Sequence, residues 1–457
     1  MRILALLAAS GVLLSVSAPV SSAPAARAVK SPEIIHTGKA PTGYTVTFRY
    51  AAPAAKRVQI RGDWYFARPA DLPQLAATPD HLIIQGQGIL PKDWKPGDFP
   101  LPFPNGMGGG NNPPFEMTRD KDGVWTYTTP LPSGFFSYAL LVDCPVATPG
   151  QAAQPGQACR PNADPGNQPW NVQDGKVVGT EVRGSQVYVP ADRDFFGIDF
   201  AWLAPAKKQG RLVHVTYASP GHVTPKDSNY LVVYTPPDYD PARARPYPTL
   251  YLSHGGGGNE MNWSTGGAAQ NILDNLIATG QIQPIVVVMP NASGFNESAW
   301  FEAYDRDLID HMIPYVEQHW HVSKSPMDRA FSGLSMGGML TNTFMVKHPE
   351  VFQYYGMMSA GLPQESDTLN AAQIAALKGK AIWIGGGWQD PIHAAGFKTE
   401  TTSHVGPARE VNTFARAGIP ATTFYTNGGH TWYVWRQHLR DFLTRTAFLP
   451  PTYAAWQ

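Results

Sequence analysis

The spacing of apolar residues changes character once along this chain. Between about residues 40 and 190, apolar and polar positions alternate, and residues 44–50, 57–60, 124–128 and 136–140 predict half-buried strands. Helical periodicity is missing from this stretch. Short strands parted by turn residues predict a small β-sandwich. Within it, residues 91–114 are crowded with Pro and Gly, a composition that excludes a helix or a central strand and predicts a long loop. From about residue 195 the apolar runs become continuous, as at 231–234, 249–252 and 285–288. They alternate with helical patterns over 268–278, 304–319, 338–347, 408–417 and 435–446. Strands buried on both faces and interleaved with helices predict an α/β fold with a mostly parallel sheet covered on both sides. Pro190, Pro205 and Gly210 punctuate the change, which places the division near 188–212.

The first 28 residues stand outside this scheme. Arg2 precedes an apolar run from Ile3 to Val16, and Ala26-Arg27-Ala28 offers a small-residue cleavage pattern, so a secretory signal is expected. That apolar run is too short to span a membrane, and no other stretch approaches the required length. The expected organisation is a signal peptide over 1–28, a β-sandwich over 29–192 and a catalytic α/β domain over 193–457, in a secreted or periplasmic protein. Charge adds one exclusion. Lys plus Arg and Asp plus Glu both total 35, without the basic excess that nucleic-acid binding requires. The only two cysteines, Cys144 and Cys159, flank a polar loop, and in an oxidising compartment they are expected to pair as a disulfide. The chain-entropy argument credits such a closure with about 3 kcal/mol. Metal or redox chemistry is the weaker alternative, because neither a Cys-x-x-Cys spacing nor an adjacent His cluster is present.

Candidate chemistry gathers in the second half. Gly333-Leu334-Ser335-Met336-Gly337 has the form G-x-S-x-G, lying between an apolar strand pattern and a helical one. Small residues on both sides let a serine sit on a sharp turn with its hydroxyl exposed; a turn serine that merely caps the helix is the competing reading. A serine alcohol needs a base, and the base needs orienting. Of five histidines beyond Ser335, His430 follows a strand pattern on the flexible run Asn427-Gly428-Gly429, whereas His348, His393, His404 and His438 read as surface or helix residues. Asp390 follows the strand at 380–384 and is the expected acid, with Glu365 and Asp367 as alternatives and helix capping as its plainer role. Oxyanion donors are expected from the backbone N–H of Met336 and from Gly255 and Gly256 in the run His254-Gly255-Gly256-Gly257-Gly258, where no Cβ blocks approach. A phosphate loop is disfavoured there, since no Lys-Ser/Thr follows. Trp263, Trp300, Trp388 and Trp432 neighbour these loops and are candidate walls for an acyl group or sugar ring, or else core residues.

Several strings in this half, taken in order, resemble the esterase D / feruloyl esterase branch of the α/β-hydrolases. They are Ser253-His254-Gly255-Gly256-Gly257 with Asn262-Trp263, Val286-Val287-Val288-Met289-Pro290-Asn291, Arg329 through Gly338, and Gly429-His430. The resemblance covers about residues 210–450 and implies Ser335 as nucleophile, Asp390 as acid and His430 as base, with no cofactor and no metal. Arg61-Gly62-Asp63-Trp64, Asp122-Gly123-Val124-Trp125 and Asp164-Pro165-Gly166-Asn167 resemble the immunoglobulin-like early-set domain, similar to glycogen-branching-type carbohydrate modules, that precedes some of these esterases. The resemblance implies a serine carboxylester hydrolase, with feruloyl or acetyl esters on polysaccharide as the expected substrates and siderophore esters as the alternative. A carbohydrate-binding protein with an inactive hydrolase half is the reading from another class.

Overall fold

A computed structural model describes residues 29–71, 88–100, 113–144, 161–167, 184–195, 197–295, 300–398 and 403–449, with short pieces at 172–173 and 176–177. The expected signal segment, Cys159 and residues 101–112 lie outside the described residues. Cys144 is disulfide-bonded.

The alternating segments form eight strands: β1 Glu33–His36, β2 Tyr44–Ala51, β3 Val58–Gly62, β4 Phe115–Glu116, β5 Thr118–Arg119, β6 Val124–Pro130, β7 Gly134–Val142 and β8 Ser185–Val189. They make two antiparallel four-stranded sheets, ordered β1-β2-β6-β5 and β8-β7-β3-β4. Period-two alternation sends Val46 and Phe48 of one sheet, and Val58, Ile60, Phe136, Tyr138 and Leu140 of the other, into a shared core. Trp64 fills its centre, stacked on Phe48 at 5.2 Å. Gly62 makes room for it, because a Cβ there would lie 2.3 Å from the indole. The Pro/Gly-rich stretch departs from a plain loop: Pro91–Asp93 forms a 3-10 turn, and Phe99–Pro100 pairs antiparallel with Phe66–Ala67. Trp94 and Phe99 are buried, so apolar contact orders the start of a segment that lacks helix-forming residues.

The second half contains β9 Arg211–Ala218, β10 Ser228–Thr235, β11 Thr249–Ser253, β12 Val286–Pro290, β13 Arg329–Leu334, β14 Tyr354–Met358, β15 Ala381–Gly387 and β16 Thr422–Thr426. They form one sheet ordered β9-β10-β12-β11-β13-β14-β15-β16, antiparallel at the first two pairings and parallel thereafter. Its continuous apolar runs have a direct physical reading. In β10, Val232 and Tyr234 enter the core on one face while Leu231 and Val233 enter the core on the other. Helices α1 Ala269–Ala278, α2 Met336–Lys347, α3 Pro407–Ala417 and α4 Trp432–Arg445 flank the sheet. The helix expected over 304–319 is broken by a π turn at Asp307–Met312 between Trp300–Arg306 and Ile313–His319. Pro314 explains the break: it has no N–H to give the preceding turn, and the widened turn accommodates its ring. Among the described residues no helix is long and apolar enough to cross a membrane.

Candidate active site

Because β13, β14, β15 and β16 run parallel, the loops after them open at one edge of the sheet. That edge carries Ser335, Ser359, Asp390 and His430.

Ser335 sits between β13 and α2 with φ 52° and ψ −118°, a conformation that costs a non-glycine residue about 1–3 kcal/mol. Glycines make the turn possible. A Cβ on Gly333 would lie 2.5 Å from the carbonyl carbon of Gly337, and one on Gly337 would lie 2.6 Å from the carbonyl oxygen of His254. The Ser335 N–H donates to the Met358 carbonyl at 2.8 Å, tying the turn to the next strand. The Ser335 side chain makes no capping bond to α2, which removes the reading of this serine as a helix cap. Met336 opens α2, so its N–H is one of the first-turn donors without an intrahelical acceptor.

Asp390 follows β15 and His430 follows β16. The imidazole Nδ1 and Asp390 Oδ2 are 2.8 Å apart, and both side chains are almost wholly buried. Asp390 also caps the five-residue helix Pro391–Ala395, with Oδ1 accepting from the Ile392 N–H at 2.9 Å. The capping role and the His partnership therefore coexist on two oxygens of one carboxylate. Burial pushes the Asp390 carboxyl up. The charge and hydrogen bond of His430, the Ser359 hydroxyl and the Ile392 N–H outweigh it and hold the group below its ordinary value. An ionised Asp390 accepts from His430 Nδ1–H and leaves Nε2 without its proton. Of the alternative acids, Asp367 is engaged by Arg409 Nε at 2.8 Å and by Thr413, and the Glu365 side chain lies outside the described residues.

Three residues that sequence reasoning did not single out hold this pair in place. Ser359, at φ 55°, contacts Asp390 and accepts from the Trp435 indole N–H at 3.0 Å. Trp435 in turn sets its ring edge-to-face on His430 at 4.8 Å. Gln389 ties the two loops together: its N–H donates to the Gly428 carbonyl at 3.1 Å, and its Oε1 accepts from the Gly428 N–H at 2.6 Å. His254 governs the glycine run. Ala292 N–H donates to its Nε2 at 3.0 Å, so Nδ1 carries the proton and donates to the Gly255 carbonyl at 2.7 Å. Burial pushes this imidazole below its ordinary value, in keeping with a neutral ring. No short motif marks Ser359 or Gln389; the signal for His254 was its place at the head of the glycines.

The glycine run does not act as a block. A Cβ on Gly255 would lie 2.6 Å from Leu334 Cδ1 and 3.2 Å from Ser335 Cβ, so its main chain comes close to the nucleophile turn. Gly256 is exposed, and a Cβ there would meet nothing within 4 Å.

The four tryptophans divide. Trp263 is 1% exposed, lies in the core beside α1 and donates its indole N–H to the Ser253 carbonyl at 2.9 Å, which corrects its reading as a substrate wall. The core must bury this large ring because it supports the strand end beneath the glycine loop. Trp432 is half-buried and packs edge-to-face on Trp263 and Trp435. Trp388 is 52% exposed beside Tyr425 and His393, two residues before Asp390. Trp300 begins a helix, and its side chain lies outside the described residues. His438 is a helix residue, in α4, and is fully buried between Trp383 and Phe424, where burial drives it down to about 3. Among the described residues no group of three His, Cys, Asp or Glu is arranged to hold a metal.

Comparison with known proteins agrees with this architecture. Residues 224–446 match the family described as putative esterase. Over these residues the chain is similar to esterases, and its sheet with flanking helices has the α/β-hydrolase fold. An endo-1,4-beta-xylanase/feruloyl esterase of Xylanibacter ruminicola is 32% identical over 322 residues, 66% of this chain and 40% of that protein. Endo-1,4-beta-xylanase Y of Acetivibrio thermocellus is 33% identical over 170 residues, 35% of this chain and 15% of that protein. The chain thus spans well under two thirds of the length of these relatives. The crystal structure of the enterobactin esterase of Shigella flexneri superposes with a TM-score of 0.51 at 17% identity, covering 91% of this chain and 96% of that one. This last likeness concerns the fold, and it extends over both halves.

Proposed function

We propose that this chain is an exported serine carboxylester hydrolase acting through Ser335, His430 and Asp390. The observation that carries the reading is the 2.8 Å His430–Asp390 contact at the same sheet edge as the strained Ser335. In the proposed cycle, Ser335 Oγ attacks the ester carbonyl carbon while His430 Nε2 takes the hydroxyl proton. The developing oxyanion is met by the N–H groups of Met336 and of the Gly255–Gly256 stretch, donors that strengthen as charge forms. Collapse breaks the bond to the alcohol, which leaves with the proton from His430. Water, deprotonated by the same nitrogen, then attacks the acyl-enzyme and releases the acid and Ser335. Asp390 keeps the imidazole in the required tautomer and supports the imidazolium.

Feruloyl or acetyl esters on polysaccharide are the proposed substrates. The feruloyl esterase named in the Xylanibacter ruminicola relative supports this class, as does the exposed Trp388, whose ring suits a planar acyl group. The segment 1–28 supports export, and the strings near Trp64, Trp125 and Asp164 support an early-set, carbohydrate-module-like origin for the sandwich. Siderophore triesters are the second reading, favoured by the two-domain likeness to the enterobactin esterase. Two measurements test these proposals. Ser335→Ala is expected to abolish the burst of p-nitrophenol from short acyl esters, and an unaltered burst rejects the triad. Turnover of methyl ferulate, acetylated xylan and a cyclic catecholate triester, compared on one preparation, then decides between the substrate classes.

A further inference from the structure

The antiparallel end of the sheet reaches the catalytic edge through one loop. Leu231, near the start of β10, pairs with Pro290 at the end of β12, so the β9–β10 hairpin loop over residues 219–227 opens where β12 ends. The segment leaving β12, residues 291–295, packs against that loop on one side and against the glycine run on the other. Its Ala292 N–H donates to His254 Nε2 at 3.0 Å, and its Ser293 hydroxyl donates to the Gly258 carbonyl at 3.3 Å.

His222, 1% exposed, joins the hairpin loop to this segment. Its Nδ1 lies 2.8 Å from the Pro225 carbonyl oxygen of its own loop, and its Nε2 lies 3.0 Å from the Ser293 carbonyl oxygen across the gap. A carbonyl oxygen only accepts, so the ring donates in both contacts. The Val223 N–H adds a bond to the Gly294 carbonyl at 2.8 Å, and Phe295 sets its ring edge-to-face on the imidazole at 5.2 Å. Gly294, at φ 91°, permits the close approach, since a Cβ there would lie 2.3 Å from Nε2.

We propose that His222 is a positioning residue for the oxyanion loop: its Nε2–H fixes the Ser293 carbonyl, which sets the Ala292 N–H on His254 and, through His254, the Gly255 main chain beside Ser335. The inference rests on the proposed role of the Gly255–Gly256 stretch as oxyanion donor. The two ring contacts have different reach. The Pro225 contact closes the hairpin loop alone, whereas the Ser293 contact leaves the hairpin and ends one residue from Ala292. Oxyanion donors act on charge that forms in the transition state, so a small displacement of their loop lowers rate before it lowers substrate binding.

Amide side chains reproduce one half of the imidazole each. His222→Asn keeps a donor near the Nδ1 position, for Pro225, and loses the one for Ser293; His222→Gln keeps a donor near the Nε2 position and loses the one for Pro225. Each variant gives up one ring contact, and both give up alike the charge that His222 presents to the buried Asp307 in the π turn. A role in stability alone therefore lowers both thermal midpoints and leaves kcat of the folded protein unchanged. With p-nitrophenyl acetate, His222→Asn is expected to lower kcat about tenfold at unchanged KM, less than the loss of a whole oxyanion donor. His222→Gln is expected to stay within about twofold of wild type. Gly255→Ala, measured alongside, separates the inference from its premise. A loss in Gly255→Ala with wild-type kcat in His222→Asn overturns the role of His222 alone; no loss in either overturns it together with the oxyanion reading. A loss in His222→Asn without one in Gly255→Ala rejects the route through the glycine run, and equal losses in His222→Asn and His222→Gln reject the Ser293 contact as its start. Should His222→Asn fail to fold, Ser293→Ala decides: losing the bond to Gly258 is expected to lower kcat about threefold at unchanged KM, and an unchanged kcat overturns the proposal.

Discussion

The two halves of this molecule handle backbone strain differently. Among the described residues, the sandwich half has a single non-glycine residue at positive φ, Asp143, a residue type that tolerates this region and whose carboxylate accepts from the Lys56 and Arg57 N–H groups at 2.8 Å. In the hydrolase half, Ser335 and Ser359 occupy positive φ at the ends of adjacent parallel strands. Neither serine gains from the conformation locally. Each is held there by bonds to the neighbouring strand, from Ser335 N–H to Met358 and from Ser359 N–H to Gly385. The sandwich spends its packing on stability, whereas the parallel sheet spends part of its packing on holding two serines in costly geometry beside Asp390 and His430.

That contrast predicts which changes alter rate and which alter stability. Asp390→Asn has the largest expected effect, a fall of about 10⁴ in kcat. The amide oxygen still caps Pro391–Ala395, while its NH₂ donates to His430 Nδ1 and forces the proton onto Nε2. A thermal midpoint near wild type with such a fall separates chemistry from folding; retained kcat rejects the assigned acid. Next is Phe48→Ala in the sandwich core, expected to cost about 4 kcal/mol in urea unfolding and to leave kcat of the folded fraction unchanged. A large drop in kcat there, with folding intact, breaks the proposed division between halves. Gly255→Ala follows, with an expected kcat loss of about 100-fold, since a Cβ meeting Leu334 at 2.6 Å pushes the loop off the nucleophile turn. The control is Gly256→Ala, which meets open space and is expected to fold normally.

The same contrast explains what was legible in the sequence. Strands were readable in both halves because burial leaves a direct mark: period two where one face is covered, as in Val46 and Phe48, and unbroken apolar runs where both are, as in residues 231–234. Ser335, Asp390 and His430 were readable as candidates because each lies where a strand pattern ends on small residues. The π turn before Pro314 was hidden, since helical periodicity continues across it. Trp263 stayed open between wall and core because nearness in sequence to the glycine loop does not say on which side of the strand a ring packs; its N–H bond to Ser253 places it beneath the loop. Ser359 was invisible for another reason. Its role depends on three-dimensional contacts with Asp390 and Trp435, which lie 31 and 76 residues away, and no local pattern encodes them.

Ser359 also supports the finest prediction. Its hydroxyl donates to Asp390 and accepts from the Trp435 indole, so Ser359→Ala removes one stabilising contact from the carboxylate and leaves a buried N–H unpartnered. Losing a contact that lowers the Asp390 carboxyl raises it. The carboxylate is then protonated at a higher pH than in the wild type, and the acid limb of kcat/KM is expected to move upward, with kcat at neutral pH reduced about tenfold. Trp435→Phe keeps the edge-to-face ring on His430 while deleting the N–H, so it is expected to lower kcat less and to leave the acid limb in place. A purely structural role for Ser359 would lower the thermal midpoint of both variants and shift the pH profile of neither. Displacement of the acid limb in Ser359→Ala alone therefore identifies the hydroxyl as the group that sets the charge state of Asp390.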